Sequence, residues 1–260
     1  MEYTNILLET RGAVAVITLN RPQVLNALNG AVLVELAAAV EACAANDAVR
    51  TVLLTGAGPK AFAAGADIGE LAKLNEAEGR AYAERGQRLF RRIETLGKPV
   101  IGCVNGFALG GGCELAMACT VRLASETARL GQPEVKLGVI AGFGGTQRLP
   151  RLVGRGAGLK LLLTGAVIAA SEALRIGLVD EVVPAAELMA RGEALANEMA
   201  AVAPVAVRLT LEAVDRGLDL TLEEGLEWEA LLFGKSCATE DKAEGTAAFL
   251  AKRAAEWRGR

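Results

Sequence analysis

Two glutamates stand inside glycine-rich stretches of this chain. Glu114 ends Asn105-Gly106-Phe107-Ala108-Leu109-Gly110-Gly111-Gly112-Cys113-Glu114, and Glu134 lies in Gly131-Gln132-Pro133-Glu134-Val135-Lys136-Leu137-Gly138. Carboxyls that face one small pocket cannot both ionise cheaply, so one holds a proton while the other stays basic. The chain contains no histidine. That removes Ser-His-Asp and Cys-His chemistry and every histidine-ligated metal site, and leaves proton transfer to carboxylates, Lys, Tyr or Cys.

A third stretch, Ala61-Phe62-Ala63-Ala64-Gly65-Ala66-Asp67, has small side chains that leave backbone N–H groups open to a ligand oxygen. The Gly110–Gly112 run does the same where a helix is predicted to begin, and the helix dipole adds to its pull on an oxyanion. Each stretch also has an ordinary reading. Asp67 would cap a helix, Glu114 would complement a helix dipole, Glu134 would be a solvated loop charge, and Gly144-Gly145-Thr146 would start a helix. Their joint occurrence in one order within about 90 residues favours a site over independent turns. Neither GxGxxG nor GxxxxGK[ST] occurs, so nucleotide cradling by those motifs is excluded.

These groups must be positioned by the elements around them. Apolar runs at Ile6–Leu8 and Val14–Leu19 predict a hairpin, residues 31–45 a helix, Val52–Leu54 a strand, and Glu76–Leu96 a charged amphipathic helix closed by Gly97. Pro99–Val104 reads as a buried strand leading into the Gly110–Gly112 helix start, with further strands at Val121–Ala124 and around Leu178–Val183. Strands alternating with helices predict βαβ units with right-handed crossovers. Beyond Pro184 the pattern is helical, at Ala185–Ala201, Pro204–Arg216, Leu222–Phe233 and Glu240–Glu256. The expectation is an α/β core over residues 1–200 and a helical C-terminal region over 201–260.

With 28 Lys+Arg against 31 Asp+Glu, no global field favours nucleic acid or an anionic membrane. Five cysteines, none spaced as CxxC, argue against both a disulfide framework and a zinc site. No export signal or membrane span is evident, and a cytoplasmic protein is expected.

The blocks LNRPQVLNAL, KAFAAGADI, KPVIGCVNGFALGGGCELAMAC, LGQPEVKLGVIAGFGGTQRLPRLVG and LTGAVIAASEALRIGLVDEVV together resemble the crotonase, or enoyl-CoA hydratase/isomerase, family over nearly the whole chain. The resemblance implies a crotonase-like spiral of ββα units with a C-terminal helical trimerisation region, assembled as a trimer or a dimer of trimers. It implies a hydro-lyase adding water syn across a 2-trans-enoyl-CoA to give a 3-hydroxyacyl-CoA, with no cofactor beyond the coenzyme A of the substrate. By position, it places two oxyanion-hole amides on Ala66 and Gly111 and the acid-base pair on Glu114 and Glu134. Glu114 would take a proton from water and Glu134 would deliver one to C2. Substrate contacts fall on Ala64 and Ile68 near the adenine, on Gly142 and Phe143 at the acyl group, and on Phe249 and Lys252, often from a neighbouring subunit.

This chain departs from the family pattern at four places. Gly69 stands where many relatives carry Lys, Thr120 replaces Asp, Ala141 replaces a frequent Pro, and the bulky Phe143 hints at short substrates. The rival readings are an enoyl-CoA isomerase or specialised 3-hydroxyacyl-CoA dehydratase of the same fold, and a non-catalytic RNA- or acyl-CoA-binding protein.

Overall fold

The computed structural model describes residues 3–260. The chain opens with β1 (Ile6–Arg11) and β2 (Val14–Leu19), paired antiparallel. Helix α1 (Gly30–Ala45) follows, started by Asn29, whose side chain accepts from the Val32 amide. Next come β3 (Thr51–Gly56), β4 (Ala61–Ala63), α2 (Ile68–Leu71) and α3 (Glu76–Glu94), the last entered through a capping box of Asn75 and Glu78. The same order repeats in β5 (Val100–Val104), β6 (Phe107–Leu109) and α4 (Gly111–Met117), and again in β7 (Val121–Ser125), β8 (Arg129–Gly131), α5 (Gly145–Val153) and α6 (Arg155–Thr164). Then follow β9 (Val167–Ala169), α7 (Ala170–Arg175), β10 (Glu181–Val183) and α8 (Leu188–Ala200). Only helices remain after that: α9 (Pro204–Gly217), α10 (Leu222–Cys237) and α11 (Glu240–Ala251).

The strands form two sheets. The larger has the order β1-β2-β3-β5-β7-β10 and is parallel beyond its first hairpin; the smaller has the order β4-β6-β8-β9 and is parallel except at β8-β9. Each repeat therefore sends one strand to each sheet before its helix, which is a spiral of ββα turns. Alternation along β2 shows why the larger sheet is apolar on both faces. Ala15, Ile17 and Leu19 join the core beneath α1 and α3, while Val14 and Val16 turn to the other face and pack with Leu53, Ile101, Leu188 and Ala196. Helix α8 closes that second face, and Gly192 comes so near that a Cβ there would lie 2.6 Å from the Cys103 sulfur.

Two expectations need correction. The last helix stops at Ala251 instead of running to Glu256, because Lys252 takes a left-handed conformation (φ 53°) and the chain turns back. The buried Asp241 carboxylate then accepts from the Arg258 and Gly259 amides at 2.6 and 2.9 Å, and the Trp257 indole N–H donates to Ala201 O. The strand expected from Leu178 covers only Glu181–Val183, with Leu178 and Val179 buried in the approach to it. The smaller sheet was not foreseen at all. Its strands are three residues each, too short for an alternating pattern to register.

Among the described residues, no single helix is long and apolar enough to cross a membrane.

Candidate active site

The two glycine-rich segments meet where β4 and β6 end. At Gly112 a Cβ would sit 1.9 Å from the Ala63 carbonyl oxygen, so only glycine lets the first turn of α4 lie against the end of β4. This contact sets the Gly111 amide beside that of Ala66: a Cβ on Gly111 would lie 3.5 Å from Ala66 N. Among the described residues both amides are unpaired, for different reasons. Gly111 is the first residue of α4 and has no acceptor one turn back, and its N-cap, Gly110, has no side chain to offer. Ala66 lies in a single bridge to Leu28, where the Gly65 carbonyl and the Asp67 amide face Leu28 and the intervening Ala66 N–H points away. Two adjacent free donors, one at a helix N-terminus, can hold an oxygen that gains negative charge.

Glu114 rises from the first turn of α4 and is 1% exposed. Its Oε1 accepts from the Phe143 amide at 2.8 Å and the Gly145 amide at 2.7 Å, which fixes the carboxyl and leaves Oε2 free of protein donors among the described residues. Burial pushes its pKa up to about 7; the two amides pull it down, and the neighbouring Glu134 charge adds to the rise. Glu134 begins a short 3-10 turn (Glu134–Leu137), and burial raises its pKa as well. The two carboxyls are thus a coupled pair, each favouring its protonated form more than a solvated carboxyl does.

Gln132 went unremarked as a functional residue in the sequence. It is 1% exposed, and with its amide nitrogen turned toward Glu134 it donates to both carboxyl oxygens, at 2.8 and 3.2 Å. The available signal was position: two residues before Glu134, in a turn, a buried amide can reach the same carboxyl.

One cavity of about 1010 Å³ holds these groups together. Ala64, Ala66, Ile68, Gly111, Glu114, Glu134, Gly142 and Phe143 all line it, so eight of the ten site residues expected from sequence converge. Phe249 and Lys252 do not. Phe249, on α11, is 83% exposed, and Lys252 is the cap that ends that helix. The Phe143 ring closes one wall, 5.1 Å from Tyr82 and 5.5 Å from Phe90 between ring centres. Of the departures, Thr120 is structural: its hydroxyl accepts from the Val100 amide at 3.0 Å and its own amide donates to Val100 O, which ties β5 to the end of α4. Gly69 leaves an exposed amide that donates to Asp67, the N-cap of α2.

Among the described residues, no three His, Cys, Asp or Glu side chains group as a metal site. Acid-base chemistry on a substrate with an activated carbonyl is what this arrangement can do.

Comparison with known proteins points the same way. Residues 9–260 match the family model described as enoyl-CoA hydratase/isomerase. The chain is 50% identical to the short-chain-enoyl-CoA hydratase of Clostridium acetobutylicum, over 98% of each chain. It is 48% identical to the crotonyl-CoA hydratase of Syntrophomonas wolfei, over 99% of each. Its fold superimposes on the crystal structure of an enoyl-CoA hydratase from Bacillus anthracis with a TM-score of 0.95 and 41% identity, covering 99% of this chain and 100% of that one. With the fold, the paired carboxyls and the sequence relationship in agreement, this chain belongs to the enoyl-CoA hydratase/isomerase family.

Proposed function

We propose that the protein is an enoyl-CoA hydratase acting through Glu114 and Glu134. The observation that carries the reading is the convergence on one cavity of two unpaired amides, the buried Glu114 carboxyl and the half-buried Glu134 carboxyl. A thioester oxygen held by the Ala66 and Gly111 amides gains charge as water attacks C3, and those donors stabilise the enolate more than the ground state. Ionised Glu114, its Oε1 occupied by two amides, turns Oε2 to the water and takes its proton. Protonated Glu134 then supplies a proton to C2. The new C3–O and C2–H bonds replace one C=C π bond, and proton exchange between the carboxyls restores the pair. The step is redox-neutral, and the reading takes no cofactor beyond the coenzyme A of the substrate.

The aromatic wall of Phe143 and Tyr82, backed by the buried Phe90 ring, supports a short acyl group. So do the two relatives, one a short-chain-enoyl-CoA hydratase and the other a crotonyl-CoA hydratase. The helices α9–α11 carry exposed Leu218, Leu222, Phe233, Phe249 and Leu250, an apolar surface suited to burial between subunits. We read residues 201–260 as the oligomerisation region of a trimer or dimer of trimers, with the Phe249 and Lys252 of one subunit serving the coenzyme A of another. A cytoplasmic setting fits the reduced cysteines, four of which are buried.

The test is a spectrophotometric assay of enoyl-CoAs from C4 to C10. Hydration bleaches the conjugated thioester absorbance, with C4 expected to be fastest. An isomerase would instead create that absorbance from a 3-enoyl-CoA, and unchanged absorbance from both substrates would remove the hydratase reading.

A further inference from the structure

The carboxylate of Glu114 is only as well placed as the loop that donates to it, and that loop is held by side chains of α3 and α5 that line the same cavity. Its two donors, the amides of Phe143 and Gly145, flank Gly144. The carbonyl of Phe143 accepts from Arg148 Nη1 at 2.8 Å. The rest of the same guanidinium forks onto Glu94 of α3, Nε to Oε1 at 2.5 Å and Nη2 to Oε2 at 3.0 Å. Both side chains are mostly buried, at 16% and 19% exposure. The Nη1 end of the guanidinium lies against Gly144, where φ is 111° and a Cβ would fall 2.1 Å from Nη1. A second tie runs from α3 to the preceding residue, Gln87 Nε2 donating to Gly142 O at 2.8 Å.

We propose that Arg148, oriented by Glu94, is a positioning residue for the hydration step: it holds the Phe143–Gly145 backbone so that both amides point at Glu114, and keeps the ionised carboxylate available as a base. A bidentate ion pair is a stiff link, since its fork geometry fixes both the direction and the distance of the guanidinium. It joins the end of the nineteen-residue α3 to α5, whose first residue is Gly145 and which carries Arg148, and through the Phe143 carbonyl to the turn just before that helix. The same guanidinium is a cation near Glu114 and favours its charged form. The other groups facing Glu114 do not supply that pull. Glu134, on the 3-10 turn, opposes ionisation, while Tyr82 on α3 and Cys113 on α4 are both pushed up by burial to about 12 and stay neutral. Losing Arg148 thus removes a charge and loosens two hydrogen bonds, and both changes disfavour ionised Glu114.

The kinetic part of this inference rests on the hydratase reading; the titration part does not. In Arg148→Met, kcat for crotonyl-CoA should fall at least about tenfold with KM changed less than about threefold, because an interaction needed at the chemical step has been weakened. The acidic limb of the pH–kcat profile should move up by about one unit or more. In the substrate-free protein, the ¹³C-carboxyl resonance of Glu114, assigned by its loss in Glu114→Gln, should titrate at correspondingly higher pH. Arg148→Lys keeps the charge without the fork, and should lose kcat with a smaller titration shift. Arg88→Met, which removes an exposed charge from α3, the helix that carries Glu94, should leave the limb in place. A folded Arg148→Met whose limb and Glu114 titration match wild type would overturn the proposal, even if its Tm had dropped, since that result describes a purely structural ion pair. Should Arg148→Met fail to fold, an unshifted titration and unchanged kcat in Arg148→Lys overturn it equally. Absence of hydration by the wild type would sink the hydratase reading alone, leaving the titration to judge the positioning.

Discussion

Replacing Glu114 by Gln separates the chemistry of this carboxyl from its cost to the fold. The substitution is nearly isosteric, and a Gln oxygen can accept from Phe143 N and Gly145 N as Oε1 does. Hydration of crotonyl-CoA should fall by about 10²–10⁴, the usual contribution of a general base. Stability should change in the opposite sense. Burial raises the Glu114 pKa from 4.5 to about 7, so between those values the folded protein keeps a proton that the unfolded chain has released. Unfolding then releases a proton, and rising pH favours it. The wild type loses stability from this group as pH climbs through that window, and above pH 7 the penalty is constant. A pKa raised that far corresponds to about 3 kcal/mol. Glu114→Gln has no proton to lose. Urea unfolding at pH 5 and pH 8 should therefore show a flatter pH dependence in the variant than in wild type, by up to about 3 kcal/mol. Parallel profiles, or activity within tenfold of wild type, would refute the argument.

Three other substitutions probe the parts that hold the site. Gly86→Ala on α3 would place a Cβ 2.2 Å from the Phe143 ring, and such overpacking costs about 1–3 kcal/mol; adding Phe143→Leu should recover much of the lost Tm, whereas additive losses would show that the two residues do not clash. Gln132→Met removes the donor to Glu134, worth about 1.5–3 kcal/mol to the charged form, so the Glu134 pKa rises and the basic limb of the pH–rate profile should move up by about one unit; an unmoved limb would dissociate Gln132 from the acid. Asp241→Ala frees the Arg258 and Gly259 amides, and carboxypeptidase should trim the tail of this variant much faster than wild type while C4 hydration stays normal; equal trimming would mean that the tail is held elsewhere.

Sequence patterning alone determined the α/β alternation and the helical last quarter, because apolar periodicity is a local property, and it marked the two glutamates as candidates; their roles, and those of the Ala66 and Gly111 amides, came from the family resemblance. The first hairpin, Ile6–Leu8 with Val14–Leu19, is read within a few positions. Glu114 and Glu134 were legible because the chain lacks histidine and both lie in glycine-rich turns. What only tertiary structure decided is long-range. The smaller sheet brings β4, β6 and β8 together over more than sixty residues of sequence, and with it the amides of Ala66 and Gly111. The pairing of Gln132 with Glu134 depends on the burial of Gln132 against a half-buried carboxyl, and the grip of Arg148 and Glu94 on the Phe143 turn joins residues 54 positions apart. Even the end of α11 was set by a distant partner, the Asp241 carboxylate that draws the tail back. A pKa near 7 for Glu114 belongs to this second class, because desolvation comes from the whole shell of neighbours that folding assembles around a carboxyl, and no pattern of adjacent residues encodes it.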